Sequence, residues 1–225
     1  MKILAVDTAL GACSVAVLDG DVVRGHRLEA MERGHAEALA PMVQSVMGSA
    51  KLTFAELERL GVTTGPGTFT GQRVGLAFMR GLRVALKRPL IGITTLQAMA
   101  AAAMEETGAP FGAALHDAKR GEVYAGLYSH DAALIEPVLL SLEDAVAAIR
   151  QDMQHHDQPL AIAGTAGAAA AEAYRRLGGQ AFVSSILHPD ALWVAKLAQH
   201  APATTDAPRP LYLRPADARL PARPA

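Results

Sequence analysis

An aspartate and a glycine turn occur together near the start of the chain, in a pattern that suits phosphate or metal binding. Asp7 ends an apolar run and is followed by Thr8 and Gly11, and a second aspartate, Asp117, ends a similar run. Turn amides can cradle phosphate oxygens, and a carboxylate can hold a hydrated metal cation. Each aspartate could equally cap its own hairpin turn. The pattern therefore predicts either two carboxylates facing a cleft or two capped turns.

The most specific string in the sequence is a glycine loop that runs from Gly65 to Gly71. It is not a P-loop, because no Gly-Lys-Ser/Thr sequence closes it. Its glycines permit backbone conformations closed to other residues, and a helix predicted after the loop would offer free amides to an anion. A strand-to-helix turn that requires tight packing is the alternative. The candidate nucleotide-binding residues are Asp7, Thr8, Gly11, Gly65, Gly67, Thr68, Gly164 and Gly167.

No catalytic or metal-binding constellation is evident in the sequence. The single cysteine, Cys13, lies in an alternating strand pattern, which indicates a buried thiol in a reducing compartment. A metal-binding pair on one helix face needs a spacing of three or four residues, but His35 is followed there by alanine and leucine. His155 and His156 are adjacent in a polar run, which predicts a solvated loop. The other histidines, His26, His116, His130, His188 and His200, form no local cluster. We predict neither a catalytic residue nor a metal site.

Composition limits the classes of protein that the chain can represent. Its 225 residues, 51% of them hydrophobic, suffice for one large domain or two lobes. The apolar stretches are shorter than the roughly 20 residues of a membrane span, and the first residues lack the apolar core of a signal peptide, so we expect a cytoplasmic protein. A net charge of −1 provides no global basic field, so any RNA contact must be local or made through a partner. The tail arginines, Arg209, Arg214, Arg219 and Arg223, could touch RNA phosphates or simply be solvated.

Apolar periodicity predicts the elements that position these residues. Helical spacing indicates two helices after a three-stranded antiparallel meander, and Thr53 to Glu56 has the form of a capping box. The predicted strands of the first half are 2–7, 13–18, one from Val22, 60–64 and 90–93, and its predicted helices are 35–47, 74–86 and one from Thr95.

Motifs of the first half of the sequence recur in the second half, which predicts a duplication. Asp7, Gly11 and Asp21 recur 110 residues later as Asp117, Gly121 and Asp131. Two unrelated hairpins are the alternative. A duplicated β-β-β-α-β-α unit predicts a two-lobed α/β fold of the actin-like, ribonuclease H-like type, with a cleft between the lobes. The predicted lobes are 1–105 and 106–225, with helix 95–107 bridging them and helix 190–201 packing back.

Four separated segments resemble one family of this class. They are Ala5 to Thr8, Thr64 to Gly75, Asp117 to Tyr124, and Pro210 to Pro215. Together they are similar, across nearly the whole chain, to the TsaB family of actin-like proteins. The resemblance implies a non-catalytic partner that binds and activates the TsaD threonylcarbamoyltransferase, together with the TsaE ATPase, in the synthesis of N6-threonylcarbamoyladenosine beside the anticodon of tRNA. It also implies a homodimer when the protein is alone and only indirect contact with tRNA. The nucleotide site would be vestigial, binding ATP and Mg²⁺ weakly if at all.

In the TsaB family, helices of the first lobe form the bundle that binds TsaD or a second copy. The resemblance places that interface on helices 35–47 and 72–86. The expected interface residues are Leu39, Met42, Val43, Val46, Met47, Gly75, Met79 and Leu82. Packing of both helices within their own lobe is the alternative. A second functional hypothesis is a small actin-class kinase or ATPase that binds ATP in its cleft and acts on a metabolite.

Overall fold

The computed structural model describes residues 1–203 and 206–214, which form two five-stranded mixed sheets. The elements of the first half are β1 (Lys2–Asp7), β2 (Ala12–Asp19), β3 (Val22–Ala30), α1 (His35–Ala50), a short 3-10 helix (Phe54–Glu56), β4 (Arg59–Thr63), α2 (Phe69–Leu86), β5 (Leu90–Ile93) and α3 (Thr95–Thr107). Those of the second half are β6 (Phe111–Asp117), β7 (Glu122–Ser129), β8 (Ala133–Ser141), α4 (Leu142–Asp152), a 3-10 helix (Met153–His155), β9 (Leu160–Ala163), α5 (Gly167–Arg176), β10 (Ala181–Val183) and α6 (Ala191–His200).

Both sheets have the same strand order, so the predicted duplication is confirmed. The first sheet runs β3-β2-β1-β4-β5 and the second, read in the same sense, β8-β7-β6-β9-β10. In each sheet the first strand lies at the centre, antiparallel to the second and parallel to the fourth. A central strand is covered on both faces and reads as a continuous apolar run. This explains why residues 3–7 and 112–116 are buried without interruption.

Two helices are exchanged between the halves. The first sheet carries α1 and α2 on its outer face, whereas its inner face is covered by α6, which comes from the second half. The second sheet carries α4 and α5 on its outer face, and its inner face is covered by α3, which comes from the first half. The helices α3 and α6 also contact each other between the two sheets. Within the described residues, no helix is long and apolar enough to cross a bilayer.

The predicted start of α2 needs correction. The helix begins at Phe69 rather than near Gln72 or Val74, because the Thr68 side chain caps it by accepting a hydrogen bond of 3.1 Å from the Gly71 amide. The capping box between Thr53 and Glu56 is confirmed, although it opens only a three-residue 3-10 helix. Three tail residues considered above, Pro215, Arg219 and Arg223, lie outside the described residues.

The expected interface residues also need correction. Of the eight, seven are buried in the core between the first sheet and its outer helices, and the six of them other than Gly75 are at most 3% exposed. These are Leu39, Met42, Val43, Val46, Met47, Gly75 and Met79. Leu82 is half-buried and packs against the same core. The apolar stripe that the sequence showed on α1 and α2 is therefore the one that each helix needs for its own lobe.

Candidate functional site

Asp7 lies at the end of β1 and is completely buried. Its Oδ1 accepts hydrogen bonds from the Thr63 hydroxyl at 2.5 Å and from the Ala9 amide at 3.2 Å, and its Oδ2 has no partner among the described residues. Burial raises the pKa of this carboxyl from its ordinary 3.8 to about 7, against the lowering effect of the Thr63 hydrogen bond. Asp7 thus caps its own hairpin turn, as one of the two sequence alternatives predicted.

The glycine loop closes over this first hairpin. The Thr68 amide donates to the Ala9 carbonyl at 2.8 Å, and the buried Thr8 hydroxyl donates to the Gly71 carbonyl at 2.7 Å. A Cβ added at Gly67 would lie 2.3 Å from the Ala9 carbonyl oxygen, and one at Gly71 would lie 2.2 Å from that of Thr8. These glycines are required by close backbone contact, which supports the tight-turn alternative.

The second hairpin, which follows β6, is open to solvent. Asp117 caps its turn by accepting a hydrogen bond of 2.8 Å from the Lys119 amide, and the Lys119 ammonium lies 3.0 Å from its Oδ2. This hydrogen bonding holds the pKa of Asp117 below its ordinary value. The Asp117 amide donates to the Thr165 hydroxyl at 2.9 Å, which joins this turn to the segment between β9 and α5.

A cleft of about 860 Å³ lies between the two hairpins. It is lined by Leu10, Gly11, Ala30, Met31, Glu32, Gly67, Thr68, His116, Asp117, Ala118, Lys119, Tyr124, Thr165 and His188. Of the predicted nucleotide-binding residues, Gly11, Gly67 and Thr68 reach it. Asp7 and Thr8 are buried behind the turn, Gly65 is shielded by the Gln72 side chain, and Gly164 and Gly167 flank the lining residue Thr165.

The structure brings together two histidines that the sequence did not associate. The rings of His116 and His188 lie 5.9 Å apart in the cleft, and the His188 ring covers Gly11, where an added Cβ would come within 2.7 Å of it. Burial lowers the pKa of His116 to about 4 and also lowers that of His188, so both rings are neutral at pH 7. No local signal could have paired residues so distant in sequence.

These residues do not fit a magnesium nucleotide. The Asp7 carboxyl is shut away from the cleft, the Gly11 turn is covered by an imidazole, and the Lys119 charge is paired with Asp117. His155 and His156 are exposed, and the described residues contain no group of three or more metal-ligating side chains.

A second candidate surface lies on the outer faces of α1 and α2, which pack side by side over the first sheet. Their exposed residues are small or uncharged, apart from Glu37 on α1 and the basic residues along one edge of α2. We call this surface the small-residue face. It comprises Ala36, Ala40, Pro41, Gln44, Ser45, Gly48 and Ser49 of α1 and Ala77, Gly81, Val84 and Ala85 of α2.

Comparison with known proteins relates the chain to tRNA modification proteins. A family model described as "TsaD: tRNA N6-adenosine threonylcarbamoyltransferase" matches residues 27–208. The Escherichia coli K12 tRNA threonylcarbamoyladenosine biosynthesis protein TsaB is 39% identical over 131 residues, which are 58% of this chain and 56% of that protein. The Bacillus subtilis protein of the same name is 28% identical over 164 residues, which are 73% of this chain and 71% of that protein. The match thus spans little more than half the length of the Escherichia coli relative.

Solved structures agree over a greater length. YeaZ from Pseudomonas aeruginosa superposes with a TM-score of 0.79 at 29% identity, covering 94% of this chain and 99% of that one. The ROK hexokinase from Thermus thermophilus superposes with a TM-score of 0.54 at 19% identity, covering 88% of this chain and 99% of that one, and so shares the fold alone. The predicted two-lobed, actin-like α/β fold is confirmed.

Proposed function

We propose that this chain, which belongs to the tRNA N6-adenosine threonylcarbamoyltransferase (TsaD) family and is of the TsaB type within it, is a non-catalytic partner subunit in tRNA threonylcarbamoyladenosine synthesis. In this proposal it binds a TsaD-like catalytic subunit through the small-residue face, acts together with a TsaE-like ATPase, and forms a homodimer through the same face when it is alone.

One observation carries the proposal: a glycine in the middle of α2 that the packing of the described residues does not require. Among these residues, and outside its own stretch of helix, Gly81 has no atom within 4 Å of an added Cβ, whereas a Cβ at Gly75, on the buried side of the same helix, would lie 2.7 Å from the Thr8 hydroxyl. An exposed mid-helix glycine costs about 1 kcal/mol relative to alanine. Close approach of another helix would offset that cost, because a bare backbone admits a neighbouring helix.

The neighbouring helix supplies a matching surface. Gly48 on α1 also faces open space, and the exposed positions around it carry alanine, proline, serine and glutamine. Such a surface buries readily, since it requires few charged groups to be desolvated. The two helices together offer a broad, nearly uncharged platform of the kind that a helical bundle covers.

The cleft supports a non-catalytic role. Asp7 is buried away from the cleft, and Asp117 is engaged in capping its own turn. The two histidines of the cleft are neutral at pH 7, and its first turn is covered by His188. A kinase or ATPase needs groups that reach the phosphates and stabilise developing charge. We therefore propose that this chain needs no nucleotide or metal of its own, and that catalysis belongs to its partner.

A matched pair of substitutions tests the partner surface. Ala77→Arg places a long, charged side chain in the small-residue face, whereas Ala169→Arg makes the same change at an exposed position of α5 in the other lobe. In co-elution and titration calorimetry with the TsaD-like subunit, we expect Ala77→Arg to weaken binding at least about tenfold and Ala169→Arg to leave it unchanged. Circular dichroism checks that both variants fold. Leu82 is a poor choice, because it packs against the core.

Reconstitution tests the role itself. Unmodified tRNA is incubated with the TsaD-like and TsaE-like subunits, with and without this chain, and threonylcarbamoyladenosine is measured by mass spectrometry. We expect modification to depend on this chain, and unchanged modification in its absence would contradict the proposal. Micromolar binding of Mg-ATP with turnover by this chain alone would instead support the kinase or ATPase hypothesis.

A further inference from the structure

The charge of the chain is distributed unevenly along its sequence. Between Glu58 and Glu105 there is no acidic residue, although the whole chain has a net charge of −1. The six basic residues in this stretch are Arg59, Arg73, Arg80, Arg83, Lys87 and Arg88. Five of the six lie on α2 or directly after it. A local basic field therefore exists despite the balanced total.

Three of these side chains lie along one edge of α2. Arg73, Arg80 and Lys87 are seven residues apart, which is close to two helical turns and about 10 Å along the axis. Arg88 follows Lys87, and the exposed Arg209 of the C-terminal segment lies beside Arg80 in a shallow depression. We call these five residues the basic face. It adjoins the small-residue face on the same helix.

The guanidinium groups of this face are held mainly by neutral acceptors. Arg73 donates to the Tyr212 hydroxyl at 2.8 Å, Arg80 to the Pro208 carbonyl at 3.2 Å, and Arg88 to the Ala55 carbonyl at 3.3 Å. A neutral acceptor orients an arginine without cancelling its charge, and five donors per guanidinium leave others for a ligand. One carboxylate, Asp206, lines the depression beside Arg209.

An aromatic stack lies at the start of the basic face. The rings of Phe69 and Tyr212 are 5.5 Å apart at 30°, and both residues are more than 40% exposed. The Arg73 guanidinium lies over the Phe69 ring, 3.6 Å from its centroid. Exposed aromatic rings and guanidinium planes are the platforms on which proteins stack unpaired RNA bases, beside basic groups that hold the phosphates.

We propose that the basic face and the stack of Phe69, Arg73 and Tyr212 form an RNA-binding surface of this chain, which holds the phosphate backbone along α2 and an unpaired base against the stack. The choice of RNA over another polyanion rests on the proposed function in tRNA modification. Because the surface adjoins the small-residue face, RNA bound here would lie beside a partner docked on α1 and α2.

The test compares two double substitutions that change charge equally. Lys87→Glu with Arg88→Glu alters the end of α2, and Arg175→Glu with Arg176→Glu alters the end of α5 in the other lobe. The full chain is titrated into fluorescently labelled, unmodified tRNA, and anisotropy is measured between about 50 and 200 mM salt. We expect the first variant to weaken binding at least about tenfold and to flatten the salt dependence, and the second to weaken binding less than about twofold.

Substitutions of Tyr212 test base stacking separately from charge, because they leave the charge of the surface unchanged. Tyr212→Ala is expected to weaken binding to a single-stranded anticodon loop about tenfold, because it removes a ring on which a base stacks, whereas Tyr212→Phe keeps the ring and should keep the affinity. Equal loss in the two charge variants, or equal affinity of Tyr212→Ala and wild type, would overturn the inference. A wild-type chain that binds no tRNA but still binds the TsaD-like subunit would refute this surface alone and leave the proposed function standing.

Discussion

The hairpins that follow β1 and β6 occupy equivalent places in the duplicated fold, yet their environments are opposite. Asp7 and Asp117 each accept a hydrogen bond from the amide two residues later. Asp7 is completely buried beneath the glycine loop, whereas the Asp117 side chain is 46% exposed beside Lys119. The same local capping rule thus acts in both turns, and the elements packed over each turn determine which aspartate lies in the interior.

The glycine loop closes over the first hairpin, whereas the second hairpin stays open to solvent. Gly67, Thr68 and Gly71 bind the backbone of the first turn, while the shorter connection from β9 to α5 leaves the second turn open. Four measurements, two of them on matched pairs of variants, test this difference between the hairpins.

The largest effect is expected in the pH dependence of stability. Burial raises the folded-state pKa of Asp7 from 3.8 to about 7, so the folded protein retains a proton that the unfolded chain releases. This carboxyl therefore costs stability progressively as pH rises from about 4 to 7, by about 4 kcal/mol in total. In urea unfolding followed by Trp193 fluorescence, Asp7→Asn should remove this slope. Parallel pH profiles for variant and wild type would contradict the buried position of Asp7.

The second largest effect is the loss of stability caused by adding a methyl group to a glycine beside each turn. Gly67→Ala should lower the free energy of unfolding by about 3 kcal/mol, because its Cβ would meet the Ala9 carbonyl oxygen at 2.3 Å. In the second hairpin, Gly121 has φ of +78° but open space around an added Cβ. Gly121→Ala should therefore cost only about 1 kcal/mol. Similar losses would show that the glycine loop does not close tightly on the first turn.

A smaller difference is expected between two threonines. Thr8→Val removes a buried hydroxyl that donates to the Gly71 carbonyl and accepts from the Gly75 amide, so it should cost about 2 kcal/mol. Thr165→Val removes one exposed acceptor, for the Asp117 amide, and should cost less than about 1 kcal/mol. Thermal and urea unfolding measure the stability of both variants. A larger loss of stability for Thr165→Val than for Thr8→Val would contradict the difference between the two hairpins.

The smallest effect on stability is expected at Asp117, and its dependence on pH is opposite to that of Asp7. Because hydrogen bonds from Lys119 lower the pKa of Asp117, this group adds stability above its unfolded pKa of 3.8 and loses it as pH falls. Solvent screens the pair, so Asp117→Asn should cost a few tenths of a kcal/mol at pH 7 and less at pH 3. A cost that grows toward low pH would contradict this assignment.

Local sequence signals were sufficient for most of the fold. The central strands, the capped turns at Asp7 and Asp117 and the spacing of the duplication follow from apolar runs and turn residues, which act over a few neighbours. The start of α2 was misplaced, although Thr68 before the helix was a usable capping signal.

The candidate surfaces were harder to predict, because burial depends on contacts distant in sequence. Apolar residues such as Met42 and Met79 indicated an exposed interface, but an amphipathic helix shows the same stripe when it faces its own sheet. The pairing of His116 with His188 and the approach of Tyr212 to Arg73 depend on how the chain folds back. Exposed small residues such as Gly81 indicate the proposed partner surface less clearly than the apolar residues do in the sequence. In the structure they indicate it more clearly, because the space around Gly81 is open.

The exchange of α3 and α6 between the halves has a consequence for biosynthesis. The inner face of the first sheet, which includes Ile3 and Leu18, is covered by Val194 and its neighbours on α6. During translation, α6 must leave the ribosome before this face can be buried. The inner face of the nascent first sheet therefore stays exposed until α6 has been synthesised.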